Sequence, residues 1–152
     1  MDGPQWPLGD FMGIRLEHIG IAVHDLESGS ESWKMLGLIH GDDERNDEQG
    51  VNIRFFETEQ GAKATRIELL EPTGTDTPIG RFLDKRGEGI QQIAFRVDDL
   101  DSLVVSLIAS GVRLIDDNPS EGANGSRIIF VHPSSTGGCL AELLEYDVLP
   151  QG

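Results

Sequence analysis

Hydrophobic and polar positions in the first half of the chain predict one strand, one helix and three further strands. Residues 16–23 form a short apolar run rich in isoleucine and valine, which is typical of a strand. Asp25 is a suitable N-cap for a helix over 26–36, where apolar side chains keep helical spacing, and Gly37 can end that helix with a positive φ. Strand-like runs follow at 38–41, 51–57 and 64–71. This order is a βαβββ module.

The same pattern returns 74 residues later. His18–Leu26 aligns with Gln92–Leu100, and Glu68–Glu71 aligns with Glu142–Glu145, each at an offset of 74 (92 minus 18; 142 minus 68). We expect no gap in the alignment between these segments. Phe56 then matches Phe130 at the same offset. We infer that the chain is one module written twice.

The second copy repeats the predicted elements. An apolar i, i+3, i+4 stripe over 100–108 predicts a helix that Gly111 ends. Strand-like runs follow at 112–116, 126–132 and 138–146. Between the copies, Thr77 and Pro78 form an N-cap and N1 pair that predicts a short linker helix. Equivalent loops, which could shape a binding site, are predicted at 42–50 and 117–125.

These elements predict an α+β fold with a single domain over residues 14–152. Within that domain, module 1 spans 14–72, the linker helix lies in 73–88 and module 2 spans 89–148. Residues 1–13 lack the basic start and apolar run of a signal peptide, and we predict that they are a flexible N-terminal extension.

Composition excludes several classes of function. A chain of 152 residues with 38% hydrophobic residues fits one soluble domain and predicts no membrane span. The 27 acidic and 12 basic side chains give a formal net charge of −15, which argues against a nucleic-acid partner. Cys139 is the only cysteine, so no internal disulfide and no thiolate zinc cluster can form. We therefore expect a cytoplasmic protein.

Strand alternation predicts a cluster of polar side chains on one face of the sheet. In the first strand, His18 is followed on the same face by Gly20 and Ala22, while isoleucines face the helix. Such small residues favour a ligand cleft over a packed core. Module 2 repeats the arrangement with Gln92 and Ala94. If the two halves curl towards each other, matched positions bring together four donors: His18, Glu68, Gln92 and Glu142.

These four donors suit a divalent metal ion. Imidazole, carboxylate and amide oxygen match an ion of intermediate hardness, and four protein ligands leave two octahedral positions open. Such an ion would polarise a bound carbonyl, stabilise an enolate and ease removal of the adjacent C–H proton, with Glu68 or Glu142 as the base. A structural role is the alternative. Histidines in strands are commonly hydrogen-bonded, and glutamates in terminal strands are commonly solvated. Gene duplication alone would also preserve matched residues.

Other charged residues have two possible roles. Glu48, in the acidic loop, could bring a carboxylate over the cleft or could be solvated. Four arginines on predicted strands could bind a substrate carboxylate or phosphate, although we expect ion pairs with the chain's many acids for at least two of them: Arg54, Arg66, Arg96 and Arg127.

A series of short motifs resembles a known family. The paired βαβββ modules are similar to the vicinal oxygen chelate superfamily, and their details resemble its methylmalonyl-CoA epimerase family. The similar stretches run through nearly all of the chain after residue 14: 18–23, 48–51, 67–72, 86–89, 97–100, 130–133, 136–138 and 142–143. As a set these motifs are fairly specific, whereas each alone is weak.

This resemblance implies a fold, a reaction and a ligand set. The fold would be an open eight-stranded cup, and the reaction would invert the α-carbon of methylmalonyl-CoA through an enolate. By position, His18, Glu68 and Glu142 match family ligands of a divalent ion, and Glu142 also matches a base. Cobalt is the expected metal, with nickel, manganese and zinc as alternatives. We also expect an acyl-CoA ligand and a homodimer.

The chain departs from the family pattern at two places. Gln91 and Gln92 stand where the family usually has two adjacent histidines, the second of which is the ligand, and Ser134 replaces a usual lysine. An amide oxygen is a poorer donor than imidazole. One histidine, one glutamine and two glutamates also resemble the ligand set of some glyoxalase I enzymes, which is the enzymatic alternative. A metal-free binding protein like the bleomycin-sequestering members of the superfamily is the third.

Overall fold

A computed structural model of the chain describes residues 13–61 and 64–146. These residues form eight strands and three helices. The strands are β1 (Ile14–Ala22), β2 (Ile39–Asn46), β3 (Val51–Glu57), β4 (Arg66–Pro72), β5 (Gly89–Val97), β6 (Ser120–Glu121), β7 (Ser126–Val131) and β8 (Leu140–Tyr146). The helices are α1 (Leu26–Met35), α2 (Pro78–Arg86) and α3 (Leu100–Ala109). All but one residue of the predicted N-terminal extension, and the last two residues of predicted module 2, lie outside the described residues.

All eight strands belong to one sheet, in the order β2-β3-β4-β1-β5-β8-β7-β6. Each module contributes four neighbouring strands, and the modules meet where β1 pairs antiparallel with β5. At that seam Ile19 pairs with Ile93, its own counterpart 74 residues later, so a pseudo-two-fold axis passes through this pair. The predicted α+β fold of two βαβββ modules is confirmed.

The ends of the sheet approach each other, which makes it a curled half-barrel. The backbone N–H of Asn124, near the β6 end, donates to Oε1 of Glu44 on β2 at 3.2 Å. Ala123 packs against the core of module 1, which is built by residues of β1, β3, β4 and α2. The sheet therefore forms the open cup that the resemblance implies.

Helices α1 and α3 cover the convex face, and each begins and ends as predicted. Asp25 accepts a hydrogen bond from the N–H of Ser28, and Asp99 accepts one from Ser102 at the same place in module 2. Gly37 and Gly111 follow the two helices with φ of 102° and 83°, a region that favours glycine.

Helix α2 joins the modules and packs on the concave face of module 1. Its N-cap is Thr77, whose hydroxyl accepts from the N–H of Gly80. Ile79 and Leu83 share a buried cluster with Ala22 of β1, and burial of each large apolar side chain contributes about 1.5–3 kcal/mol. Ala22 is thus a packed core residue, which corrects the prediction that its small size opens a cleft.

One predicted edge strand was wrongly placed, and the other was predicted too short. Residues 112–116 do not form a strand, because only Leu114 makes an isolated bridge, to Val131. Val112 and Leu114 pack against the apolar cluster under α3 instead of pairing along a neighbouring strand. The edge strand of module 2 is β6, inside the predicted loop 117–125. On the other edge, β2 extends through Asn46 into the predicted loop 42–50, since charged residues are well tolerated on an edge strand.

The two modules are also not matched without a gap. Glu68 pairs with Phe55, and its counterpart Glu142 pairs with Phe130. Phe130 therefore corresponds to Phe55 and not to Phe56, at an offset of 75. Module 2 carries one extra residue before β7 and one fewer after it. The neighbouring phenylalanines of β3 concealed this shift, because either can be aligned with the single phenylalanine of β7.

No helix among residues 13–61 and 64–146 has both the length and the apolar character needed to cross a membrane.

Candidate active site

A cavity of about 430 Å³ lies on the concave face, between the two modules. The four predicted donors all line it, one from each of the four central strands. They are buried as well, with exposed fractions of 4% for His18, 2% for Glu68, 8% for Gln92 and 6% for Glu142. The structure therefore brings the four predicted residues together.

Strand register explains why the four donors converge. Gly20 of β1 lies between Glu68 on one neighbouring strand and Gln92 on the other. Ala94, 74 residues later, takes the same place between the other two donors. A Cβ on Gly20 would lie only 2.7 Å from Cγ of Gln92. Glycine thus makes room for the Gln92 side chain, whereas the sequence suggested that it leaves room for a ligand.

Glu17 is a site residue that the sequence reasoning missed. Along the β1–β5 seam Leu16 pairs with Phe95 and His18 with Ala94, so Glu17 has no ladder partner and forms a β-bulge. The bulge turns Glu17 to the same face as His18, and both line the cavity. Strict alternation would have placed Glu17 on the opposite face.

Module 2 has the equivalent bulge at Gln91. Gly20 pairs with Gln92 and Ile21 with Ile90, which leaves Gln91 without a ladder partner 74 residues after Glu17. Gln91 lines the cavity, and its side-chain oxygen is buried without a hydrogen-bond partner among the described residues. A pair of adjacent polar residues at both matched positions was the signal in the sequence.

The imidazole of His18 is the centre of the site. Its Nδ1 lies 2.8 Å from Oε2 of Glu68 and contacts Oε2 of Glu17 as well. Its Nε2 lies 3.2 Å from Oε2 of Glu142 and 3.2 Å from the side-chain nitrogen of Gln92. Gln92 also donates to Glu142 at 3.4 Å. One glutamate from each module therefore flanks the ring on opposite edges.

A second layer of polar residues holds Glu17. Its Oε1 accepts from Nη2 of Arg66 at 2.7 Å and from the hydroxyl of Tyr146 at 3.2 Å. The Arg66 guanidinium also lies over the ring of Phe55, 4.7 Å from its centroid. Arg66 and Tyr146 come from different modules, so this layer joins the two halves behind the ring.

Burial and neighbouring charges shift the pKa values of these groups. Burial alone lowers the pKa of His18, but the carboxylates of Glu68, Glu142 and Glu17 outweigh it and raise the pKa well above its usual value. Burial raises the pKa of Glu68, an effect that His18 partly offsets. Burial would also raise the pKa of Glu17, but hydrogen bonds and charges from His18 and Arg66 lower it to about 2.

The hydroxyl of Tyr146 keeps its proton over a wide pH range. Burial, together with the nearby carboxylate of Glu17, raises the pKa of Tyr146 to about 12. Tyr146 is therefore a hydrogen-bond donor to Glu17 at neutral pH.

The donors of this site fit a divalent cation. Three buried or nearly buried carboxylates surround one imidazole, with Arg66 as the second positive group. Potential ligand atoms of Glu17, His18 and Glu68 lie within 4.8 Å of one another. Since mixed nitrogen and oxygen donors suit borderline divalent ions, and a cation would offset the excess negative charge, the residues present are compatible with a bound metal.

The four predicted arginines have distinct surroundings. Arg54 and Arg127 form ion pairs on the convex side, which confirms that at least two arginines pair with acids of the chain. Arg66 pairs with Glu17 and lines the cavity. Arg96 lies over the ring of Tyr146, 4.7 Å from its centroid.

The predicted loop carboxylate does not line the cavity. Glu48 is exposed, whereas its neighbours Asn46 and Gln49 form part of the cavity wall. Arg81 of α2, which the sequence reasoning did not consider, also lines the cavity and pairs with Asp76 at 2.9 Å.

Several known proteins are similar to this chain in sequence and fold. Residues 17–130 match the model of the Glyoxalase/Bleomycin resistance protein/Dioxygenase superfamily. The chain is 40% identical to an uncharacterised protein, YqjC, of Bacillus subtilis, over 86% of this chain and 91% of that one. It is 36% identical to an ethylmalonyl-CoA/methylmalonyl-CoA epimerase of Cereibacter sphaeroides, over 85% and 96%.

A solved structure agrees with both the fold and the sequence. The crystal structure of methylmalonyl-CoA epimerase from Mycobacterium tuberculosis superposes with a TM-score of 0.81 at 42% identity, over 88% of each chain. With the duplicated half-barrel and the matched superfamily model, this likeness shows that the chain belongs to the glyoxalase/bleomycin resistance/dioxygenase superfamily.

Proposed function

We propose that this protein is a metal-dependent epimerase that inverts the α-carbon of methylmalonyl-CoA, or of a related 2-alkylmalonyl-CoA, through an enolate. The observation that carries the proposal is the pair of buried glutamates, Glu68 and Glu142, on opposite edges of His18. Inversion needs a proton to leave one face of a carbon and return to the other. Two carboxylates from opposite modules suit that task, and two of the similar proteins are named as methylmalonyl-CoA epimerases.

The residues of the site would divide the chemistry between them. His18, Glu68, Gln92 and Glu142 would hold a divalent cation, for which cobalt is our first choice and nickel, manganese or zinc the alternatives. When bound, the cation supplies Lewis-acid polarisation of the substrate carbonyl. Glu142 is the proposed base, and Glu68, whose pKa burial raises, is suited to hold a proton at Oε2.

The volume and the lining of the cavity support an acyl-CoA substrate. Its volume of about 430 Å³ is in the range of small-ligand pockets, and apolar side chains of Val51, Ile53 and Ile79 form part of its wall. That wall would accept the alkyl group of a 2-alkylmalonyl ester. We further propose that the protein acts as a homodimer in the cytoplasm, where its single cysteine would stay reduced.

Deuterium exchange tests the proposed reaction. Protein loaded with Co²⁺ is incubated in D₂O with one epimer of methylmalonyl-CoA, and we expect one deuterium at the α-carbon together with formation of the other epimer. The matched control is Glu142→Gln, which keeps the shape of the side chain and removes the base. Absence of exchange with cobalt, nickel, manganese and zinc would contradict the proposal. Turnover of the methylglyoxal–glutathione hemithioacetal instead would favour a glyoxalase.

A further inference from the structure

We propose that Glu17 is a positioning residue that holds the imidazole of His18 through Nδ1, so that Nε2 is presented to Glu142 and Gln92. The bulge in β1 makes this contact possible, because it places two consecutive side chains on the concave face. Where a metal is concerned, this inference rests on the proposed function. The contact between Glu17 and His18 is independent of it.

The two oxygens of Glu17 have separate partners. Oε1 is held by Arg66 and Tyr146, at 2.7 Å and 3.2 Å, whereas Oε2 contacts Nδ1 of His18. The carboxylate is therefore anchored on the side away from the ring. A carboxylate anchored in this way can orient an imidazole, because rotation of the ring would carry Nδ1 away from an oxygen that is itself held in place.

Glu68 is the competing partner of Nδ1, at 2.8 Å. An imidazole carries one N–H at that nitrogen, so one carboxylate is enough to hold it. Arg66 approaches Glu68 only to 4.0 Å, so Glu68 is less firmly anchored than Glu17. Glu17 would thus keep the ring in place if Glu68 served as a ligand of a bound cation. A ligating histidine commonly donates its other ring N–H to such a carboxylate.

The test compares Glu17→Ala and Glu17→Gln with a matched control, Gln91→Ala, which removes the equivalent bulge residue of module 2. The first measurement is the ring Nδ1–H signal of His18 in ¹H–¹⁵N spectra of the metal-free protein. Because the chain has four histidines, the variant His18→Gln is used to assign this signal. We expect the hydrogen-bonded signal in the wild type and the control, and an upfield shift of that signal in Glu17→Ala, where Glu68 alone is left to accept from Nδ1.

The second measurement is affinity for Co²⁺, by competition with a chromophoric chelator. We expect Glu17→Ala to weaken binding by about 10–100-fold, with partial rescue in Glu17→Gln, which keeps an acceptor oxygen. An unchanged Nδ1–H signal and unchanged affinity in Glu17→Ala would overturn the proposal, as would lower stability without any change at His18. If the wild type binds no metal, the proposed metal dependence fails, and the Nδ1–H signal still decides the role of Glu17.

Discussion

The two modules share a backbone plan but differ in charge. Module 1 supplies the site with His18, Glu17 and Glu68, all ionisable, and with the guanidinium of Arg66. At the matched positions module 2 supplies two neutral amides and one glutamate: Gln91 for Glu17, Gln92 for His18 and Glu142 for Glu68. Duplication therefore preserved the geometry of the donors, whereas most of the charged network lies in module 1. The difference indicates that module 1 orients the imidazole and module 2 completes the site.

A second difference lies beneath the helices. Arg54 of β3 is buried under α1, where it donates to Asp43 and Glu27 at 2.9 Å and to Ser30 at 3.1 Å. The register places Ile129 at the same position under α3, where it is part of an apolar cluster. Module 1 thus uses a buried ion-pair network where module 2 uses a packed isoleucine.

The largest expected effect comes from removal of the module 2 glutamate. Glu142→Ala removes both a proposed ligand and the proposed base, so we expect kcat/KM to fall by about 10³-fold or more and Co²⁺ to be lost on gel filtration. Steady-state kinetics and elemental analysis of the same sample measure both effects. Wild-type activity in this variant would defeat the assignment of Glu142.

Arg54, the buried arginine of module 1, should contribute strongly to the free energy of unfolding. Arg54→Ala leaves Ser30, Asp43 and Glu27 without their shared partner. We expect the free energy of unfolding to fall by about 3 kcal/mol in urea titrations. Arg54→Met, which copies the apolar solution of module 2, should recover most of that loss. Arg127→Ala removes two ion pairs, with Asp101 and Glu145, of a partly exposed guanidinium and should cost less than Arg54→Ala, about 1 kcal/mol. Equal losses in the two alanine variants would contradict the comparison.

Glu17 should contribute a pH-dependent part of the stability. Its pKa is about 2 in the folded protein and near 4.5 when unfolded, so its contribution is present above pH 4.5 and is lost as the pH falls towards 2. In the metal-free protein, Glu17→Gln should lower the free energy of unfolding by on the order of 2 kcal/mol at pH 5. That difference should shrink as the pH is lowered, in urea titrations at each pH. A difference independent of pH would show that the charge of Glu17 is not involved.

The smallest effect concerns the neutral counterpart of His18. Gln92→His makes the two modules alike at the central donor position and replaces an amide with a stronger donor for cobalt. We expect tighter binding by about tenfold, measured by chelator competition. An affinity equal to that of the wild type would place the cation away from Gln92.

The main features of the fold were predictable because they depend on local patterns and on repetition. The helix cap at Asp25 and the glycines at the helix ends are short-range signals, and the offset of 74 identified the matched donors. Alternation along regular strands then predicted that His18 and Gln92 share a face. These features need no knowledge of how distant strands pair.

What the sequence did not reveal depends on pairing between strands. The bulges at Glu17 and Gln91 arise from the register between β1 and β5, and adjacent polar residues at 17–18 and 91–92 are a weak local sign of that register. The same holds for the short edge strand β6 and for the one-residue shift at Phe130, which appears only when the partners of Glu68 and Glu142 are compared. The positioning residue of the site was therefore hidden even though its neighbour was predicted.

The central claim is that the two modules bind one cation through matched side chains. Anomalous scattering at the cobalt edge, from crystals of the Co²⁺-loaded protein, tests it most directly. We expect a single strong peak in the cavity, about 2.1 Å from one ring nitrogen of His18 and within bonding distance of Glu142. A map with no peak there, or with cobalt bound only at surface carboxylates, would contradict the account.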